Sequence, residues 1–201
     1  MKLVGQGGQN HCLKTNDLKL KIDFYSDIFK RHIFQLSRLG ANVDVTILLG
    51  SKSDLPIARK CTTILDEYAI NYQLRVASAH RSPAYVDEIV NKAEEDGCQI
   101  YIAMAGLAAA LPGAVAALTT KPVIGVPCGG KVPYDSLLSI AQLPPGVPAA
   151  CVGVDRGDNA GMLALQILAL KNDELALQLV EFKKKQIEKV MKMDAEAQEE
   201  L

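Results

Sequence analysis

The sequence predicts an α/β chain in which helices cover both faces of a parallel sheet. Three observations predict it. From residue 43 onward, short apolar runs rich in β-formers alternate with longer stretches that carry apolar residues at helical spacing. The apolar runs are continuous, as in strands buried on both faces. The links between the two kinds of segment are short, so each helix brings the chain back to start a neighbouring parallel strand.

The elements come in order along the chain. Val45-Thr46-Ile47-Leu48-Leu49 ends at Gly50 and reads as a buried strand. Leu55 to Tyr68 reads as a helix, with Asp54 as its N-cap and Pro56 in its first turn. Tyr72 to Ala77 is the second strand. Ser82 to Asp96 is the second helix, with a serine cap and Pro83 early, closed by Gly97. Gln99 to Ala105 is the third strand, and Ala108 to Leu118 a helix of small residues. Pro122 to Val126 is the fourth strand, Asp135 to Ala141 a short helix and Ala149 to Val154 the fifth strand. Asn159 to Leu170 and Asp173 to about Lys192 are the last helices. The expected architecture is therefore three-layer αβα, flavodoxin-like, with the ligand site beyond the carboxyl ends of the strands.

Residues 1–42 stand apart as an N-terminal extension or linker. They begin with the polar, glycine-rich Gly5-Gln6-Gly7-Gly8-Gln9-Asn10, and apolar residues at roughly helical spacing from Leu18 to Leu39 predict a helix there. Residues 43–192 are expected to form the αβα domain with its C-terminal helix, and residues 193–201 a tail.

Composition narrows the function. With 201 residues and 49 % hydrophobic content, the chain can bury one sizeable core, and only 5 % of residues are aromatic. A net charge of −1 gives no broad basic surface for nucleic acid, and Lys183-Lys184-Lys185 reads as a solvated helix face. The five cysteines are widely spaced, with no CxxC pair to suggest a zinc or dithiol site. Their odd number points to a reducing, cytoplasmic compartment. No signal peptide and no unbroken apolar run long enough to span a membrane is expected.

The chemistry collects after the strands. Gly50-Ser51-Lys52-Ser53-Asp54 places two hydroxyls and several N–H groups at a helix start, a natural anion site; ordinary helix capping explains the same residues. Ser78-Ala79-His80-Arg81-Ser82-Pro83 puts a guanidinium suited to phosphate beside an imidazole suited to proton transfer. A lone histidine more often makes local hydrogen bonds, but His80 is the only histidine beyond the extension, which holds His11 and His32. Ala105-Gly106-Leu107-Ala108-Ala109-Ala110-Leu111 offers backbone N–H groups and an apolar wall that could shelter carbon dioxide; helix packing alone also accounts for it. In the loop Cys128–Tyr134, Lys131 could meet an anion, whereas Cys128 lacks a second histidine to activate it as a nucleophile. Asp155-Arg156-Gly157-Asp158-Asn159 reads as a helix cap or a subunit contact.

Taken together, Gly50–Asp54, Ser78–Arg81, Ala105-Gly106 with Leu111-Pro112-Gly113, Pro122–Pro127, Asp135–Ile140 and Gln142–Pro148 resemble the PurE family over about residues 44–170. That family is the aminoimidazole ribonucleotide carboxylase and N5-carboxyaminoimidazole ribonucleotide mutase of purine biosynthesis. The resemblance implies a homo-octamer with active sites between subunits. It implies a phosphoribosyl aminoimidazole substrate, carbon dioxide as substrate or intermediate, and no metal, biotin or nucleotide cofactor. By position, Ser53, Ser78 and Arg81 would hold the phosphate, and Ser51 and Asp54 the ribose. Ala79 belongs to the same substrate-binding set. Ala105, Gly106 and Leu107 would line the carboxylate pocket, and His80 would be the general acid and base.

Two features depart from the family. Ala110 stands where the mutase branch carries a second histidine, although Arg81 matches that branch rather than the lysine of the direct carboxylases. The loop Cys128–Tyr134 is also shorter than usual. Competing readings are a regulatory protein that kept the phosphate site without turnover, a carboxylase or hydrolase acting on another phosphorylated heterocycle, and a flavin carrier that the fold alone permits.

Overall fold

The computed structural model of the chain describes residues 43–130 and 132–200. The expected extension over 1–42, with its helix, its two histidines and Cys12, lies outside the described residues, as does Lys131. Five parallel strands form one sheet in the order β2-β1-β3-β4-β5. They are β1 (Val45–Leu49), β2 (Tyr72–Val76), β3 (Ile100–Ala105), β4 (Val123–Pro127) and β5 (Ala150–Cys151). The helices are α1 (Leu55–Glu67), α2 (Pro83–Glu95), α3 (Ala110–Leu118), α4 (Pro133–Ala141), α5 (Gly157–Ala169) and α6 (Asp173–Glu199). This is the expected flavodoxin-like order. The chain moves outward from β1 to β2, then crosses back over β1 to β3, which makes the β1/β3 boundary the topological switch point.

Burial explains the continuous apolar runs. Every residue of β1, β3 and β4 is buried. Val45, Ile47, Leu49, Ile102 and Met104 pack on one side with Ala58, Cys61 and Leu65 of α1 and with Ala160, Ala164 and Leu165 of α5. Leu48, Tyr101 and Ala103 pack on the other side with Val86, Ile89 and Val90 of α2, Leu111 and Val115 of α3, and Ile140 of α4. Alternate residues thus feed two cores from one strand, which only a two-sided sheet requires. Cys98 is buried just before β3, and Cys151 is half-buried on β5.

Helices α1 and α5 cross very closely. Gly157, Ala160, Gly161 and Ala164 form a stripe of small buried residues on α5. A Cβ on Gly157 would run into the carbonyl of Ile57, and one on Gly161 would lie 3.0 Å from the carbonyl oxygen of Cys61. The glycines are there for backbone approach.

Several local expectations change. Asp54 makes no side-chain cap to α1. A 3₁₀ turn, Lys52–Asp54, precedes the helix, and Ser51 caps that turn while the Asp54 carboxylate reaches back to the Ser51 N–H. Ser82 makes no side-chain cap to α2 either, because its hydroxyl is engaged with the backbone of Ser78. Strand β5 pairs over only two residues, Ala150 and Cys151, instead of running from Ala149 to Val154; Pro148 and Gly153 bracket it. Helix α6 continues to Glu199, through most of the expected tail, because no glycine or proline interrupts it after Asp173. Its outer part leaves Leu177, Val180, Ile187, Val190, Met191 and Met193 exposed. No described helix is long and apolar enough to cross a membrane.

The α1–α5 crossing yields a direct test. Gly157→Ala is expected to lower stability by about 1–3 kcal/mol through overpacking against Ile57. Urea denaturation measures it, with exposed Ala195→Ser as a control expected to shift stability by less than about 0.5 kcal/mol. Equal stability of Gly157→Ala and wild type would contradict the crossing.

Candidate active site

Four loops meet above the carboxyl edge of β1, β2, β3 and β4. They enclose a cleft of about 600 Å³. Its lining includes the ten residues expected to bind substrate or move protons: Ser51, Ser53 and Asp54 from the first loop, Ser78, Ala79, His80 and Arg81 from the second, and Ala105, Gly106 and Leu107 from the third. Ala108 to Leu111, Cys128, Gly129, Gly130 and Val132 complete it.

The first loop presents hydroxyls because of its tight turn. The Ser53 hydroxyl donates to Ser51 Oγ at 2.9 Å, and its N–H reaches the same oxygen at 3.3 Å. Ser53 is exposed to the cleft, whereas Asp54 is buried beneath it at 8 % exposure. Burial and the nearby Asp155 carboxylate push the Asp54 carboxyl above the usual carboxylate range, opposed by the hydrogen bonds from Ser51 and Ser53.

The second loop is a compact turn. Ser82 N–H donates to Ser78 O at 2.8 Å, and the Ser82 hydroxyl accepts from Ser78 N–H at 3.1 Å. Ser78 Oγ accepts from the Arg81 N–H at 3.3 Å. The Arg81 guanidinium leans over the end of β1 and donates to Gly50 O at 3.2 Å. One guanidinium edge thereby spans the first and second loops. His80 is exposed at the cleft mouth.

The third and fourth loops make the apolar wall. Leu107 is 84 % exposed and adopts a left-handed backbone, with φ +54°. For a leucine this conformation stores strain, a feature that concentrates at ligand sites. Gly106 lets the fourth loop close on it, since a Cβ there would sit 3.3 Å from the Cys128 carbonyl oxygen. Cys128 is buried, and burial together with Asp54 and Asp155 pushes its thiol up to about 12. It is a wall residue, and a raised thiol supplies little thiolate at neutral pH. Among the described residues, no group of three or more His, Cys, Asp or Glu side chains could hold a metal ion.

Two supporting residues escape a reading of the sequence. Ser136 is fully buried, and its hydroxyl donates to Cys128 O at 3.1 Å. The Asp155 carboxylate accepts from Gly129 N–H at 2.7 Å. Its segment, Asp155–Asn159, reads from sequence as a cap or subunit contact; the available signal for a further role is an aspartate at the carboxyl end of a strand, on the ligand side of the sheet.

The chain is similar in sequence and in fold to known proteins. Residues 44–189 match the family model described as AIR carboxylase. The N5-carboxyaminoimidazole ribonucleotide mutase of Methanocaldococcus jannaschii is 51 % identical over 156 residues, covering 77 % of this chain and 98 % of that protein. The mutase of the same name from Pyrococcus abyssi is 47 % identical over 141 residues, covering 69 % and 81 %. The crystal structure of Treponema denticola PurE aligns with a TM-score of 0.69 at 28 % identity, covering 76 % of this chain and 96 % of that one.

The buried Asp54 predicts a pH effect. Its raised value means that the folded protein holds the proton more tightly than the unfolded chain does. Stability contributed at this position is therefore full below the unfolded value and declines as pH rises through the folded one. Asp54→Asn keeps an acceptor for Ser51 N–H but cannot ionise. As pH rises from the ordinary aspartate value of about 3.9, we expect the urea midpoint of wild type to fall relative to that of Asp54→Asn. Parallel curves would contradict the burial of this charge.

Proposed function

The chain belongs to the AIR carboxylase family, and from that premise we propose that its cleft binds a phosphorylated ribosyl aminoimidazole and places a carboxyl group on carbon 4 of the ring. The product is 4-carboxyaminoimidazole ribonucleotide, in purine biosynthesis. One observation carries the reading: Ser53, Ser78, Arg81 and His80 line the same cleft as the apolar wall of Ala105, Gly106 and Leu107. An anion grip, an acid–base group and an apolar wall are the three parts this chemistry needs.

Ser53, Ser78 and Arg81 hold the phosphate, supplying position rather than chemistry. Ser51 and Asp54 hold the ribose hydroxyls, and Ala79 packs beside them. In the mutase route His80 donates a proton to the N5-carboxylate. The nitrogen–carbon bond breaks, the ring amine is restored, and carbon dioxide is released against the apolar wall. Carbon 4, electron-rich because of the amine, attacks carbon dioxide and forms the new carbon–carbon bond. The proton on carbon 4 returns to His80, so the enzyme ends as it began. The names of the two archaeal relatives support this route.

A second reading, direct carboxylation of aminoimidazole ribonucleotide by carbon dioxide, is favoured by Ala110, which lines the cleft where the mutase branch carries a histidine. In either route residues 43–192 act as the catalytic domain and residues 1–42 as an extension, supported by the limits of the family match. The reading includes a cytoplasmic homo-octamer that works without metal, biotin or nucleotide. The exposed apolar side chains along α6 favour such an assembly.

A discontinuous assay offering each substrate, with and without bicarbonate, tests the proposal. Product from the N5-carboxy isomer without dependence on bicarbonate is expected; product only from aminoimidazole ribonucleotide plus bicarbonate would establish the second reading. His80→Asn is expected to lose roughly two orders of magnitude or more in rate, and near-normal turnover would refute its role. Arg81→Ala is expected to act chiefly on KM, raising it about tenfold or more through loss of charge-assisted bonds. Ala110→His is expected to raise mutase turnover if the absent imidazole limits it; no gain alongside strong direct carboxylation would support the second reading.

A further inference from the structure

Asp155 lies outside the cleft lining, yet the apolar wall hangs from it. Its carboxylate accepts from Gly129 N–H at 2.7 Å. It is itself held at both ends: its own N–H donates to Pro127 O at 2.9 Å, and its carbonyl accepts from Lys60 Nζ at 3.2 Å. Between those anchors the backbone is left-handed, with φ +58°, a conformation that aspartate adopts more readily than most residues. The fit is close. A Cβ on Gly129 would lie 2.6 Å from Asp155 Oδ2, so the carboxylate can close only on a glycine. Gly129 comes directly after Cys128, whose carbonyl lies against Gly106 in the wall of the cleft.

We infer that Asp155 is a positioning residue which, by accepting the Gly129 N–H, sets the distance between the Cys128–Gly130 loop and the Gly106 wall, and so the width of the pocket that receives the carboxyl group. The inference rests on the functional reading above for what fills the pocket. It is independent of that reading for what holds the loop. The acceptor pairs the Gly129 N–H, and a wall displaced by about 1 Å is enough to slow a reaction that depends on confining a small molecule.

Two variants separate bond from charge. Asp155→Asn retains a side-chain oxygen for Gly129 N–H and removes the charge. Asp155→Gly removes the acceptor while keeping a left-handed backbone inexpensive. Asp155→Asn is expected to keep kcat/KM within about threefold of wild type, and Asp155→Gly to lose about tenfold, the scale of one hydrogen bond. Amide hydrogen exchange over residues 128–132 is expected to accelerate in the glycine variant alone, with the amides of β1 and β3 unchanged in both. Wild-type exchange over 128–132 in Asp155→Gly overturns the inference. So does equal acceleration in both variants, which would make the charge the holding force, and so does general acceleration in β1 and β3. Wild type that turns over neither substrate refutes the functional reading instead, and the exchange comparison still decides the role of Asp155.

Discussion

At the carboxyl edge of the sheet, four main-chain hydrogen bonds join each strand end to its neighbour. Ala77 N–H donates to Leu49 O, Gly50 N–H to Met104 O, Cys128 N–H to Ala105 O, and Asp155 N–H to Pro127 O. The first three continue the parallel ladder just beyond a strand, and the fourth ties the turn after β5 back to the end of β4. The first four segments therefore leave the sheet side by side and in register, and the fifth is tethered beside them, before any side chain is considered. Ser51, Ser78, Gly106 and Gly129 each lie within about one residue of such a bond. Parallel pairing has a further effect: every strand ends on the same side, so all the loops open onto a single rim. The site is a consequence of topology that the loop residues then furnish with chemistry.

The loops divide that chemistry by position. The first and second loops supply hydroxyls, N–H groups and a guanidinium, and Arg81 ties them together by reaching Gly50 O. The third and fourth supply methyl groups and a thiol that stays protonated. The acidic side chains sit low or outside: Asp54 is largely buried at the cleft floor and accepts from Ser51 N–H, and Asp155 lies outside the lining and accepts from Gly129 N–H. Carboxylates exposed on the anion grip would repel a phosphate; tied to backbone N–H groups, they organise the loops.

What the sequence disclosed and what it hid have physical reasons. Strand β1 was legible to the residue because a two-sided strand needs an unbroken apolar run, and Val45–Leu49 is bounded by an aspartate and a glycine. The cleft residues were legible because a parallel sheet restricts ligand sites to the loops that leave the carboxyl ends of its strands. Caps were misread because Ser51, Ser53 and Asp54 are all good cap types within one tight turn, and composition does not say which oxygen meets which N–H. Strand β5 was overestimated because its flanking valines satisfy β-propensity while its partner offers only two paired positions, Ile124 and Gly125. Asp155 escaped because its partner, Gly129, is distant in sequence and carries no side chain. The pairing exists only once β4 and β5 are adjacent.

The two-residue strand at one margin of the sheet has a bearing on solubility. Open sheet margins are where extended segments of other chains can add on and begin fibril growth, and the hazard grows with the length of unpaired backbone on offer. Here β5 presents Ala150 and Cys151 and then turns away through Gly153. At the opposite margin, Arg75 of β2 folds over the Tyr85 ring, bonding its hydroxyl at 2.6 Å and placing a fixed cation beside the strand. One margin is blunted by brevity and the other by charge, so the sheet that shapes the reaction pocket offers little template for amyloid-type growth.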